Sequence, residues 1–304
     1  MSGPPEIVER DFPLARLTTV RTGGPAEWFA RPGREGELVE LLRWAAAEDL
    51  PVGVIGSGSN LLVADDGFHG LALKLDGDLA EVERDGERVL CGGGARLPSA
   101  AAKAAGWGLS GLEFGINIPG TTGGAVRMNA NAYGGQLARV LDWIEVATAA
   151  GVERRAPAAL GFSYRRSNLR PGEIVARASF RLRPGDPAAI RATLAEMRRR
   201  RREAQPSGIK TFGSTFKNPE DERAGGRSAG QLLEAAGCRG LRYGGARFSE
   251  KHANFVENDR GATTADVLEL MAEGRRRVEK RFGVVLEPEV QVLGEVEWPD
   301  GWEA

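Results

Sequence analysis

The sequence predicts an α+β protein of more than one compact unit, and three observations carry that expectation. Its 304 residues exceed an ordinary single domain. A hydrophobic share of 41% is enough to fill real cores. Helical and strand-like periodicities follow one another without strict βαβ alternation, which favours α+β or mixed α/β units over one Rossmann sheet.

The elements follow in order. Residues 38–47 form a helix, with Leu38, Leu41, Leu42 and Ala45 on one face, Arg43 and Glu48 left wet, and Pro51 as the stop. Val52-Gly53-Val54-Ile55 is a short strand entering a glycine turn. Residues 71–94 are strand-rich, with Asp85-Gly86 as a hairpin turn. A second glycine-rich stretch spans 115–135, and strands follow at 143–148 and 174–182. After the break Pro184-Gly185-Asp186-Pro187 comes a helix with Ile190, Leu194 and Met197 on one face. It ends in an arginine run, 198–202, read as a solvated helix end whose cations suit the dipole. Gln205-Pro206-Ser207-Gly208 reads as a linker. A short helix at 231–236 is closed by Gly237. A longer one at 265–282 has Thr263 or Thr264 as N-cap and Gly283 at its end.

Composition excludes several classes. The formal net charge of −1 offers no basic field for nucleic acid or anionic lipid. Cys91 and Cys238 form no CxxC pair and His69 and His252 lack ligand spacing, so neither a disulfide framework nor a metal site is expected. No signal peptide is visible, and no apolar run approaches the roughly 20 residues that cross a bilayer. A soluble, cytoplasmic monomer without nucleic-acid or membrane partners is the expectation.

The chemistry concentrates in two glycine loops. Gly56-Ser57-Gly58-Ser59-Asn60 offers main-chain N–H groups that a diphosphate could approach closely. Pro119, Gly120, Thr121, Gly123, Gly124 and Tyr133 belong to a second loop of the same character. Neither is a P-loop or a Gly-x-Gly-x-x-Gly turn opening a helix. Two such nests suit a long ligand with a central diphosphate, such as a flavin dinucleotide.

With these loops stand Gly23-Gly24-Pro25-Ala26, Tyr164-Arg165-Arg166-Ser167, Gly213-Ser214-Thr215-Phe216-Lys217-Asn218-Pro219, residues 229–258 and Leu286-Glu287-Pro288-Glu289-Val290. In this order they resemble the UDP-N-acetylenolpyruvoylglucosamine reductase family, in its shorter form without a lid subdomain. The resemblance implies a two-part FAD-binding unit of the vanillyl-alcohol-oxidase/PCMH type, over 1–75 and 76–202, and an α+β substrate-binding domain over 203–304. It implies FAD as cofactor, NADPH as co-substrate and a UDP-sugar enol ether as substrate. Arg165, Ser214 and Glu289 match the family's catalytic positions: carboxylate partner, proton donor and glutamate. Tyr164, Lys217, Asn218 and Arg239 fall where substrate is bound.

The chemistry has use for these groups. Hydride addition to an enolpyruvyl ether builds negative charge toward the carboxylate, which a fixed guanidinium stabilises. A serine hydroxyl is a weak acid, so proton donation by Ser214 needs help, for which Lys217 is a candidate. Three departures from the family pattern stand out. Asn117 and Asn131 occupy positions where glycine is usual, with a left-handed turn expected at Asn131. Arg239 replaces a lysine, which changes geometry at a diphosphate contact.

Overall fold

The computed structural model describes residues 3–300 and Trp302. The fold is α+β, and the chain divides into two compact units. The first joins Met1–Asp11, Glu27–Ser57 and His69–Arg201; the second joins Phe12–Ala26, Gly58–Phe68 and Arg202–Ala304.

The first unit is built on two sheets. In one, strands Val8–Pro13, Pro25–Ala30, Phe68–Leu73 and Val52–Val54 lie in that order, the last two parallel. Helix α1 (Glu35–Ala47) covers it, burying Leu38, Leu41, Leu42, Trp44 and Ala45 against Leu71 and Leu73. The other sheet is antiparallel, in the order Gly151–Arg155, Leu141–Thr148, Ile174–Arg181, Arg88–Gly92 and Val82–Asp85. The hairpin closes on Gly86, which takes φ +60° at no steric cost.

Helix α2 (Leu97–Gly106) went unpredicted. It turns Leu97, Ala100, Ala101 and Ala104 into this second core, and a face of alanines gives a weak apolar signal. A short helix, α3 (Thr122–Arg127), and α4 (Pro187–Ala204) complete the unit, with Ile190 and Leu194 of α4 buried.

The arginine run ending α4 is only in part the solvated end expected. Arg199 and Arg200 both pair with Glu196 at 2.7 Å on the exposed face. Arg201 turns inward instead, donates to the Asn117 carbonyl, and burial lowers its pKa. A helix surface 3.6 residues round cannot keep five consecutive side chains wet when one side is packed.

In the second unit, three short antiparallel strands, Arg242–Tyr243, Ala246–Phe248 and Val256–Asn258, pack on α5 (Ala229–Ala235) and α6 (Thr264–Phe282). Its core centres on Phe216, Leu232, Leu233, Phe248, Val267, Leu270 and Met271. Strand Gln291–Leu293 runs parallel to Leu61–Val63, tying the end of the chain to an early segment. Helix α6 begins as predicted: the Thr263 hydroxyl accepts from Asp266 N, and Asp266 accepts from Thr263 N at 3.1 Å. The Asp65 carboxylate adds to this by accepting from Thr264 and Ala265 N at 2.8 and 2.9 Å, a favourable charge at a helix N-terminus. Gly283 ends the helix at φ +68°.

Both cysteines are free and buried, and desolvation pushes their thiols up, Cys91 to about 12 and Cys238 to about 11. Among the described residues no cluster of His, Cys, Asp and Glu could hold a metal, and no helix is long and apolar enough to cross a membrane.

Candidate active site

The first glycine loop keeps its glycines for the protein as much as for a ligand. A Cβ on Gly56 would stand 2.5 Å from Thr121 Oγ1, and one on Gly58 would meet the Leu17 carbonyl at 2.0 Å. Side chains at those positions would collide with the protein itself. Among the described residues, no protein acceptor takes the N–H groups of Ser57, Ser59 and Asn60. Such amides suit phosphate oxygens. Lys74, missed from sequence, donates to the Gly56 carbonyl at 2.8 Å, and burial lowers its pKa.

The second loop is less open than its sequence suggests. Thr122 N and Gly123 N donate to the carbonyls of Ala95 and Gly93, both at 2.8 Å, and Thr121 caps α3 by accepting from Gly124 N. Its open edge lies at Pro119, Gly120 and Gly124, where a Cβ on either glycine would meet nothing closer than 3.5 Å. Tyr133 is 40% exposed, in left-handed conformation at φ +51°, with its hydroxyl accepting from Asn117 Nδ2 at 3.0 Å. The expected left-handed turn falls at Asn129 (φ +40°) and Tyr133, not at Asn131, which lies in the short strand Asn131–Ala132. Pairing with Gly135–Gln136 extends Asn131 and moves the turn outward to its neighbours.

Tyr164 and Arg165 form the tip of a tight turn. Ser163 and Arg166 exchange main-chain hydrogen bonds at 3.1 and 3.3 Å, and Arg165 is left-handed at φ +55°. Glycine is the undemanding choice at such a position, and a bulky residue there stores about 1–3 kcal/mol of strain. Every second residue from the last of α3 bonds to the turn or to the chain that follows it. Arg127 donates to the carbonyls of Leu169, Arg170 and Glu173, Asn129 Nδ2 donates to Ser163 O, and Asn131 Oδ1 accepts from Arg165 Nη1 at 2.9 Å. Burial lowers the pKa of Arg127. The Tyr164 ring lies 5.2 Å from the Arg165 guanidinium carbon.

In the second unit, the Ser214 segment is laddered on both sides. Ser214 pairs with Phe255, and Phe216 with Pro288. Thr215 N donates to Asn254 O, Lys217 N to Glu287 O, and Glu289 N to Thr215 O, at 2.8–2.9 Å. The Asn254 amide clamps Phe216 by accepting from its N and donating to its O, each at 2.9 Å. Segments distant in sequence thereby place Ser214 and Glu289 on adjacent extended stretches of chain. Asn60 Nδ2 donates to the Glu289 carbonyl at 3.2 Å.

The remaining candidates already have partners. Lys217 Nζ is paired with Glu287 at 3.1 Å rather than with Ser214. Asn218 Oδ1 accepts from Ala229 N at the start of α5. Arg239 pairs with Glu234 at 2.8 Å and donates to the Glu250 carbonyl. His252 is structural: Nδ1 accepts from Asn254 N, its ring packs edge-on to Phe255, and burial lowers its pKa.

Comparison with known proteins bears on both units. An FAD binding domain family matches residues 26–156, and the C-terminal domain of UDP-N-acetylenolpyruvoylglucosamine reductase matches residues 205–293. UDP-N-acetylenolpyruvoylglucosamine reductase 2 of Symbiobacterium thermophilum is 46% identical over 97% of this chain and 94% of its own. The reductase of Anaeromyxobacter dehalogenans is 47% identical over 94% of this chain and 85% of its own. The crystal structure of the Thermus caldophilus reductase is similar at a TM-score of 0.80, with 38% identity over 96% of this chain and 99% of that one.

Proposed function

The chain belongs to the UDP-N-acetylenolpyruvoylglucosamine reductase family, FAD- and NADPH-dependent enzymes of peptidoglycan precursor synthesis, and on that premise we propose that Arg165, Ser214 and Glu289 carry its reaction. The observation that supports this reading is the ladder setting Ser214 beside the Glu289 segment, since it gives two distant motifs one rigid frame. The N–H groups of Ser57, Ser59 and Asn60, which no protein acceptor takes among the described residues, support a phosphate-binding role for the first glycine loop, and Pro119, Gly120, Thr121, Gly123, Gly124 and Tyr133 are assigned to the cofactor with it.

Bound FAD, once reduced by NADPH, supplies the hydride for the enol ether's terminal carbon. The protein groups handle charge and the proton. Arg165 receives the substrate carboxylate and stabilises the charge that grows toward it. The Ser214 hydroxyl delivers a proton to the carbon bearing that carboxylate. Glu289 acts beside it, hydrogen-bonding the carboxylate side of the substrate when protonated. Tyr164, Lys217, Asn218 and Arg239 line the path of the UDP-sugar. In domain terms, parts 1–75 and 76–202 bind the flavin and 203–304 binds substrate, although the compact units do not follow these bounds, since 12–26 and 58–68 join 202–304. The enzyme works as a cytoplasmic monomer with no nucleic-acid partner.

Ser214→Ala tests the assignment. The variant should retain yellow FAD and still be bleached by NADPH, while turnover of UDP-N-acetylglucosamine enolpyruvate falls about 10²–10⁴-fold, the range of a lost general acid. Normal turnover would remove Ser214 as proton donor.

A further inference from the structure

We propose that Asn131 is the positioning residue for the Arg165 guanidinium, setting which of its N–H groups meet the substrate carboxylate; this rests on the carboxylate-binding role given to Arg165 above. Arg165 stands at the tip of a two-residue turn in a left-handed conformation. The backbone alone gives a long, four-torsion side chain no fixed direction there. Asn131 supplies one. Its Oδ1 accepts from Nη1 at 2.9 Å, and its main-chain carbonyl lies 3.5 Å from the same nitrogen. A guanidinium carries donors only, so the asparagine must present its oxygen, and the amide orientation follows from the pairing. The oxygen is neutral. It holds the cation without cancelling the charge that a substrate carboxylate needs, as an aspartate at this place would.

Asn131 is itself anchored. The strand Asn131–Ala132 pairs with Gly135–Gln136, and the preceding Asn129 fixes the base of the same turn through Ser163 O. The amide thus comes from a braced element and reaches across to a strained one. Nη1 spends one of the five guanidinium N–H donors on this bond, which fixes that nitrogen on the Asn131 side of the group. Charge-assisted hydrogen bonds of this kind are directional and stronger than neutral ones.

The holoenzyme tests this with Asn131→Gly, Asn131→Asp, Arg165→Ala and the double variant Asn131→Gly/Arg165→Ala. Asn131→Gly should keep its FAD, be reduced by NADPH within about twofold of the parent rate, and lose about 10-fold in kcat/KM for the enol ether, the scale of one hydrogen bond to a charged group. Asn131→Asp is nearly isosteric, so a merely structural role predicts little change. As a carboxylate competing for the guanidinium it should instead raise KM further than the glycine variant does. In the Arg165→Ala background, Asn131→Gly should cost nothing more. An equal cost in both backgrounds, an unchanged kcat/KM in the glycine variant, or loss of bound FAD from it would each overturn the proposal. Parent-like turnover by Arg165→Ala would instead remove the carboxylate-binding role of Arg165 on which it stands.

Discussion

The turn that carries Arg165 and the extended segment that carries Ser214 solve the same problem in opposite ways. Ser214 sits in a segment whose neighbours are tied by main-chain bonds on both edges, to 254–255 on one side and 287–289 on the other. Its position follows from backbone geometry. Arg165 projects from a tip that the ladder does not reach, in a left-handed conformation that costs energy. Side chains hold it instead: Asn129 bonds Ser163 O and Asn131 bonds the guanidinium, while Arg127 and the Arg155–Glu173 pair brace the chain that follows the turn, at 169–173. A short hydroxyl can be placed by its strand. A guanidinium that must meet a carboxylate needs a projecting base and lateral support.

The largest effect that tests this contrast is a dissociation of stability from turnover at the turn. Arg165→Gly removes the guanidinium and places the favoured residue at φ +55°. Turnover of the enol ether should fall about 10²–10³-fold, as when one preorganised electrostatic donor is lost. The melting temperature should stay level, because relief of strain offsets the added chain entropy of glycine and the lost bond to Asn131. A variant that melts well below the parent would mean the turn is not strained in the sense argued.

Much of the fold was legible because it is written locally. Thr263, Asp266 and Gly283 announce helix α6 within its own sequence, and the Gly86 hairpin announces itself in two residues. Other features depend on partners remote in sequence. Nothing near Leu61–Val63 says that it pairs with Gln291–Leu293, or that residues 12–26 and 58–68 join the later half of the chain. The same divide runs through the candidate site. Ser214, Glu289 and Arg165 were recognisable as motifs. The ladder beside Ser214, the Lys217–Glu287 pair and the inward turn of Arg201 were not, since each depends on which face of an element becomes buried. Asn131 was noticed for its backbone, as a substitute for glycine, and its side chain proved to be the informative part.

Acid should loosen the chain that follows the turn before the ladder, an effect smaller than the loss of Arg165. The Arg155 guanidinium, with Arg170 N–H in support, holds the Glu173 carboxyl at about 2 against an ordinary 4.5. A depressed carboxyl contributes stability in full above its unfolded pKa and loses it as pH falls through the folded value. The window is therefore roughly pH 4.5 down to 2. Glu173→Gln should lower stability by about 1–2 kcal/mol at neutral pH, allowing for solvent screening of the pair. The gap from the parent should close as both are acidified through that window, read as melting temperature against pH. A gap that stays constant to pH 2 would show that ionisation of Glu173 is not what braces the segment behind the turn.

The smallest effect belongs to the ladder. Thr215 is fully buried next to Ser214, its main chain bonded to Asn254 and Glu289, yet among the described residues its Oγ1 has no hydrogen-bond partner. A buried hydroxyl without a partner costs about 1–3 kcal/mol of desolvation, and valine fills nearly the same space without that cost. If main-chain bonds alone set the strand, Thr215→Val should raise stability by about 1 kcal/mol, roughly 2 °C in melting temperature. FAD content and turnover should stay within a factor of about two, well inside the 10²-fold loss expected for a lost general acid. A fall in stability would mean that the hydroxyl is bonded in solution, through water. A fall in turnover alone would mean that Ser214 takes its position partly from a neighbouring side chain, which would bring the strand closer to the turn in kind.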